Sequence, residues 1–191
     1  MAAIAPPATL TPQRYRFTVD QYYQLIDAGI LSENDRVELI EGEIIKMAAI
    51  GPTHSWLVAN LTRSLTRQTG DEIRVNVQSP IHLGPHSEPE PDLCLSRYLP
   101  GQIAHPTPAD IYFVIEVADT TLAYDRDTKL PLYAAAGILE AWLFDVKARL
   151  LERHTAPHNG IYQEIARIGH GQSLASTTLP AITLAVDDLL R

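Results

Sequence analysis

The sequence predicts an α/β domain in which a mixed β-sheet is flanked by α-helices. The first indication is the order of segments: a helix, a hairpin, a helix, three strands, a helix, a strand and a hairpin. The second is the nearly continuous apolar run at residues 111–119, which is typical of a central strand covered on both faces. Segments in this order pack most naturally as a sheet with helices against its faces.

Length and composition fit one globular domain, with 191 residues of which 46% are hydrophobic and 20% charged. Residues 1–13 are rich in Ala and Pro and are predicted to form a disordered tail, which leaves 14–191 as a single domain. The one cysteine, Cys94, excludes a disulfide within the chain. Because no apolar run has the length of a membrane span and no secretory signal is recognisable, we expect a cytoplasmic protein without membrane contact.

The first elements have clear local signals. Thr18, followed three residues later by Gln21, forms a capping-box pattern that predicts a helix, and Gly29 should end that helix. The stretch "RVELIEGEIIKM" predicts a β-hairpin with its turn at Glu41 and Gly42. Apolar residues at helical spacing then predict a second helix over 53–68.

The second half of the chain supplies most of the sheet. Strands are predicted in "IRVNVQSPIHL", "PDLCLS", "IYFVIEVAD" and "EAWLFDV", and a hairpin in "RLLERHT" with "IYQEIARIG". A helix is predicted over 127–136, with Pro131 in its first turn, where the missing N–H does little harm. The tail "LPAITLAVDDLL" fits a short strand or a short helix equally well.

Glu116 is the most informative polar residue, because it interrupts the apolar run of the predicted central strand. Alternation places it on one face with Val114 and Ala118, and the intervening residues on the other. An ionised carboxylate there needs a cation, either a metal ion or a lysine. A structural ion pair, or a register that leaves Glu116 in solvent, would account for it equally well.

Two further residues could join Glu116 at one end of the sheet. Asp92 opens the preceding strand, and Lys129 follows in the first turn of the predicted third helix. Two carboxylates suit Mg²⁺, with Mn²⁺ as a substitute, and a nearby lysine suits hydrolysis of a phosphodiester. An ordinary exposed lysine paired with Asp125 is the simpler interpretation of Lys129.

These residues resemble a known motif. "PD", then 23 residues, then "EVA", followed by a lysine-bearing helix, is similar to the PD-(D/E)XK or restriction-endonuclease-like superfamily. Within it the chain resembles the Uma-two family of endonucleases, through stretches that include "DRVELIEGEIIKM", "GPTHSWLVANL", "EPEPDLCL" and "YFVIEVADTTLAYDRDTKLPLYAAAGILEAWLFD". The matching stretches occur in the family's order and together cover nearly the whole chain after residue 15.

The resemblance implies a fold, a cofactor and a set of roles. It implies a restriction-endonuclease-like sheet, a divalent metal held by Asp92, Glu116 and the carbonyl of Val117, and DNA as substrate. The chain departs from the usual motif, because the position two residues after the second acid is Ala118 instead of lysine. Lys129 is the natural substitute, acting on the attacking water.

Several other polar residues are weaker candidates. Glu38 could add an acid to the cluster, although a solvent-facing strand position is the plainer reading. His54 could contact a phosphate or orient a ligand, and Gln78 could face the site. The remaining acids near these segments are expected to be solvated; they are Glu41, Glu43, Glu88 and Glu90.

The function predicted from this pattern is Mg²⁺-dependent endonuclease activity on DNA. The net charge of −8 argues against a passive surface for polyanions, though a metal ion can bring positive charge to an acidic site. The charge therefore also favours a non-catalytic regulatory or scaffold module that keeps the fold, and a hydrolase of small phosphoesters is a third possibility. A homodimer could gather Arg63, Arg67 and Arg74 along one DNA groove.

Overall fold

The structure is a computed structural model that describes residues 13–32, 34–101 and 103–190. The predicted disordered tail lies outside the described residues apart from Gln13. The helical segments are α1 (Val19–Asp27), α2 (Pro52–Gln68), α3 (Leu122–Tyr124), a π-helical turn (Asp125–Lys129), α4 (Leu130–Ala135) and α5 (Val186–Leu189). None of the helices in these parts of the chain has both the length and the apolar composition needed to cross a bilayer.

The strands confirm the predicted mixed sheet. They are β1 (Val37–Ile40), β2 (Glu43–Lys46), β3 (Ile73–Val77), β4 (Leu93–Arg97), β5 (Ile111–Ala118), β6 (Glu140–Asp145), β7 (Leu150–His158), β8 (Ile161–Ile168), β9 (Ser173–Ala175) and β10 (Thr183–Ala185). Six of them form the main sheet in the order β3-β4-β5-β6-β7-β8. Only the β5–β6 pair of that sheet is parallel, so its connection must cross over one face, and α3, the π turn and α4 make that crossover.

Alternation along β5 separates two apolar cores, as predicted. Phe113, Ile115 and Val117 pack with the buried side of α2. Val114 and Ala118 pack on the opposite face with α4. Glu116 therefore lies on the face of the sheet that the crossover helices cover, which brings residues of the π turn and α4 within its reach.

The N-terminal elements follow their local signals. Thr18 and Gln21 form both hydrogen bonds of the predicted capping box, and α1 ends shortly before Gly29. At the hairpin turn both Glu41 and Gly42 have positive φ, 48° and 78°. A side chain at Gly42 would also collide with Arg16, since a Cβ there would lie 2.6 Å from the Cβ of Arg16, so glycine is required on two counts.

The start of α2 lies one residue before the prediction, and the predicted start of the third helical segment was wrong. α2 begins at Pro52, with Gly51 as its cap, because proline at the first helical position loses no needed hydrogen bond. The third helical segment begins at Leu122, five residues before the predicted start, so Pro131 lies inside it. The π turn ends at Lys129, two residues before Pro131. The proline ring would clash with the preceding turn of a regular α-helix, and this gives the wider turn a physical reason.

The C-terminal segment combines both readings of its sequence: β10 pairs with β9, and α5 follows at once. Glu140, the buried first residue of β6, holds the loop that connects β9 and β10. Its Oε2 accepts hydrogen bonds from the backbone N–H groups of Thr177 and Thr178, at 2.8 and 3.0 Å, and from the hydroxyl of Ser176. The N–H of Trp142 donates to its Oε1. A single carboxylate thus satisfies several donors of a loop that has no strand partner of its own.

We predict that Glu140→Gln lowers the free energy of unfolding by about 2–3 kcal/mol, because a neutral amide weakens charge-assisted hydrogen bonds and turns one acceptor into a donor. Urea denaturation measures this loss. Glu72→Gln, which neutralises an exposed acid, is the matched control and should change stability little. Equal stability of the two variants would show that Glu140 does not anchor the loop.

Candidate active site

The sheet brings Asp92 and the end of β5 together, as the sequence predicted. Leu93 pairs with Ile115 in the antiparallel β4–β5 ladder, so the preceding residue, Asp92, lies beside the C-terminal end of β5. Its Oδ2 accepts the backbone N–H of Val117 at 2.8 Å. In an extended strand the N–H and C=O of one residue point to the same side, so the Val117 carbonyl also lies on the side of Asp92.

Glu116 is 2% exposed and is held by two donors. The ammonium of Lys129 lies 3.0 Å from its Oε1, and the hydroxyl of Tyr133 donates to the same oxygen. Burial raises the pKa of Glu116 well above its ordinary value; Lys129 opposes that rise, and the charges of Asp125 and Asp92 add to it. A further positive charge near this carboxylate would therefore stabilise its ionised form.

Lys129 is buried at the centre of the cluster, not exposed on a helix surface. Its Nζ lies 3.5 Å from Oε2 of Glu38 and donates to the backbone carbonyl of Glu90 at 3.0 Å, in addition to its contact with Glu116. Burial alone would lower the pKa of Lys129, but the carboxylates of Glu116 and Glu38 outweigh it and hold the pKa above its ordinary value. The two carboxylates therefore favour the protonated form of Lys129.

Glu38 is only 3% exposed. The simpler interpretation of its strand position, that it faces solvent, was therefore wrong. Its Oε1 accepts the hydroxyl of Tyr124 and its Oε2 the backbone N–H of Glu90, each at 3.0 Å. The hairpin therefore contributes a carboxylate to the same cluster as Glu116 and Lys129.

The prediction that Glu88 and Glu90 are solvated was wrong. Glu88 is 3% exposed; it accepts a hydrogen bond from Tyr23 and lies 3.3 Å from a ring nitrogen of His82. Glu90 is half-buried, and burial raises its pKa. The cause is long-range packing, because this proline-rich loop bonds to β1, with the N–H of Glu88 donating to the carbonyl of Leu39 at 2.7 Å.

His54 and Gln78 both approach Asp92. Nε2 of His54 lies 2.9 Å from Oδ1 of Asp92, and this hydrogen bond raises the pKa of the imidazole despite its partial burial. Gln78 reaches the same oxygen only at the limiting distance of 3.5 Å. By contrast, Glu41 is exposed and Glu43 pairs with Arg14 at the surface, as expected of solvated positions.

Asp125 is a residue of this cluster whose burial the sequence reasoning missed. It is 4% exposed, its Oδ2 accepts the hydroxyl of Thr121, and burial raises its pKa to about 6. Asp125, Lys129 and Tyr133 recur every four residues, a spacing that places side chains on one face of a helix. This spacing in the sequence could have predicted that Asp125 lies on the same buried face as Lys129.

A cleft of about 400 Å³ opens onto these residues. Asp92, Glu116 and Lys129 line it from the sheet and the π turn, and the segment that follows β2 forms another wall. In the described residues no group of three His, Cys, Asp or Glu side chains converges closely enough to hold a metal ion. Asp92 and Glu116 both line the cleft, and two carboxylates fit Mg²⁺, since that ion commonly takes one or two carboxylates and keeps several waters.

Comparison with known proteins agrees with this architecture. The chain is similar to a putative nuclease belonging to DUF820 from Anabaena variabilis ATCC 29413, whose crystal structure superposes with a TM-score of 0.67 at 18% sequence identity. The alignment covers 91% of this chain and 97% of the other, and at that identity it shows a shared fold. Among curated proteins none matches the chain.

The sequence also matches a family profile directly. The Uma2 family, described as "Putative restriction endonuclease", matches residues 19–187, which include every element from α1 to the start of α5. The chain therefore belongs to the Uma2 family of nuclease-like proteins.

Proposed function

We propose that this protein is a Mg²⁺-dependent endonuclease that hydrolyses phosphodiester bonds in DNA. The observation that carries the proposal is the meeting of Asp92, Glu116 and Lys129 at one edge of the sheet, inside a cleft. Membership of the Uma2 family and the nuclease-like fold support it.

In this proposal Asp92, Glu116 and the carbonyl of Val117 hold the metal. A bound Mg²⁺ would polarise the phosphoryl oxygen and acidify a water molecule. The chain's own part is to fix the ligands: the N–H of Val117 and the ring of His54 hold Asp92, while Lys129 and Tyr133 hold Glu116. Mutating such supporting contacts typically costs about 10–100-fold in metal affinity.

The environment of Lys129 narrows its role. Its ammonium contacts Glu116 and donates to the backbone carbonyl of Glu90. We therefore assign Lys129 the orientation of Glu116 and the stabilisation of negative charge that develops on the phosphoryl group.

A non-catalytic module that keeps the nuclease fold is the alternative. The excess of carboxylates over cations in the cleft favours it, because without a metal ion this surface repels a polyanion. The two functions differ in one respect that is easy to measure, namely whether the protein turns over a phosphodiester.

We predict that purified protein cleaves DNA in Mg²⁺, and that Asp92→Asn and Glu116→Gln each lower the cleavage rate at least about 10²-fold, because each removes a charged oxygen from the proposed metal site. Gel assays on plasmid and linear DNA, with RNA and a small phosphoester as parallel substrates, measure this. Asp127→Asn removes an exposed carboxylate from the same π turn and should keep wild-type activity.

If the protein hydrolysed only the small phosphoester, DNA would be wrong as the substrate and a small-phosphoester hydrolase would take its place. Undiminished DNA cleavage by folded Glu116→Gln would refute the assigned role of Glu116. A folded wild-type protein that turns over none of these substrates in Mg²⁺ or Mn²⁺ would favour the non-catalytic module.

We predict that Asp125→Asn stabilises the metal-free protein near neutral pH. The pKa of Asp125 rises from 3.8 to about 6 on folding, so between these values the folded chain holds a proton that the unfolded chain has lost. Stability therefore falls as pH rises through that window, and above about pH 6 the ionised form costs on the order of 2 kcal/mol. The asparagine has no such cost.

Urea denaturation of both proteins in a chelator, at about pH 4 and about pH 7.5, tests this. The gain should be present at the higher pH and largely absent at the lower, with Asp127→Asn as the neutral control. A variant that is less stable than wild type at neutral pH would contradict the electrostatic account of this cluster.

A further inference from the structure

A second buried carboxylate lies on the main sheet, outside the cleft. Glu152 of β7 is 4% exposed and accepts side-chain hydrogen bonds from several donors. The donors are Nε of Arg167 at 2.8 Å, Nη2 of Arg126 at 3.3 Å and Nε2 of His154 at 3.0 Å. The hydrogen bond from His154 and the two arginines outweigh burial and lower the pKa of Glu152 to about 2. Glu152 is therefore a fixed negative charge at neutral pH.

The strand register aligns Glu152 with Glu116. Glu116 pairs with Leu143 of β6, and Leu143 pairs in turn with Glu152. Side chains that are directly paired across neighbouring strands lie on the same face of a sheet. Leu143 belongs to the apolar core that includes α4, so this row lies on the face that the crossover helices cover. Two strand spacings separate the two acids, which places their backbones roughly 9–10 Å apart.

The π turn spans this row of side chains. Nη2 of Arg126 lies 3.3 Å from Oε1 of Glu152, and Nζ of Lys129 lies 3.0 Å from Oε1 of Glu116. The two cations belong to the same five-residue turn and bind two acids of the same row. A shift of the turn along the sheet would therefore break both contacts, so each contact helps to hold the other in place.

Arg126 and Glu152 do not reach the proposed reacting groups themselves. Neither is among the described residues that line the cleft. The side chain of Arg126 is 41% exposed, and an ion pair with a partly exposed partner adds little to overall stability. The effect of this pair is therefore expected in the position of the π turn more than in the stability of the fold.

We propose that Arg126, anchored by Glu152, is a positioning residue that holds the π turn where Lys129 meets Glu116. This inference rests on the proposed nuclease function for its effect on turnover. The position of the π turn is a property of the folded chain and can be measured without any substrate. In the nuclease, a loosened turn would move the ammonium that orients Glu116 and stabilises charge on the phosphoryl group.

The first test is amide hydrogen exchange, measured by NMR in the metal-free protein. The N–H of Leu130 donates to the carbonyl of Asp125 across the π turn, so its exchange rate reports the opening of that turn. Arg126→Gln should speed exchange at Leu130 at least about three-fold, while the amides of β5 keep their rates. Arg126→Lys, which returns the charge, should restore most of the protection.

The second test is the kinetics of DNA cleavage in Mg²⁺. Arg126→Gln should lower kcat about 10-fold and change KM less than about two-fold, because it misplaces Lys129 without touching the substrate. Arg126→Lys should recover most of the lost kcat. Arg126→Gln/Lys129→Gln should be no slower than Lys129→Gln alone, since Arg126 acts through Lys129.

The matched control is Arg167→Gln. It removes an arginine from the same oxygen of Glu152, but the arginine belongs to β8 instead of the π turn. Exchange at Leu130 and kcat should both keep their wild-type values.

The inference and the proposed function fail separately. Unchanged exchange at Leu130 in Arg126→Gln, with DNA cleavage at the wild-type kcat, would overturn the inference and leave the nuclease standing. Faster exchange in Arg126→Gln but not in Arg167→Gln, without DNA cleavage by the wild-type protein, would support the positioning role and count against the nuclease. Equal effects of the two variants, or a raised KM at unchanged kcat, would overturn the inference.

Discussion

The buried contact between Lys129 and Glu116 is the interaction on which the rest of this site depends. Both side chains are at most 5% exposed, and the ammonium lies 3.0 Å from the carboxylate. Removing Lys129 would leave the Glu116 carboxylate buried without a cation, which typically costs several kcal/mol. The surrounding structure is arranged to keep both: the π turn aims Lys129 inward, Tyr133 bonds the carboxylate, and the carbonyl of Glu90 receives the ammonium.

The pair does not neutralise the cluster. Glu38 and Asp125 are also buried near Lys129, and Asp92 adds its charge from the end of β4, so acids outnumber the one buried cation. Burial of surplus carboxylates raises the pKa of Glu116 and Asp125 and lowers the stability of the metal-free fold. Destabilising charge of this kind is common at functional sites. A divalent cation bound among these carboxylates would offset their repulsion and lower their pKa values.

The sequence predicted those features that depend on neighbouring residues alone, such as strand alternation and helix capping. Alternation in β5 grouped Glu116 with Val114 and Ala118 on one face, and the capping box at Thr18 fixed the start of α1. What the sequence could not supply was contact between distant segments. Glu88 and Glu90 looked like solvated loop acids because nothing in their own stretch indicates that the loop bonds to the hairpin at Leu39 and Glu38. The start of the third helical segment was misplaced for a related reason, since Pro131 is accommodated by a π turn that has no simple sequence signature.

The central claim is that a divalent metal ion binds between Asp92 and Glu116. A crystal structure of the protein soaked in Mn²⁺, with anomalous diffraction to locate the metal, tests this most directly. The account predicts an anomalous peak coordinated by both carboxylates and the carbonyl of Val117, and no such peak in Glu116→Gln under the same conditions. Saturating Mn²⁺ that leaves no anomalous density between Asp92 and Glu116 of the wild-type protein would contradict it.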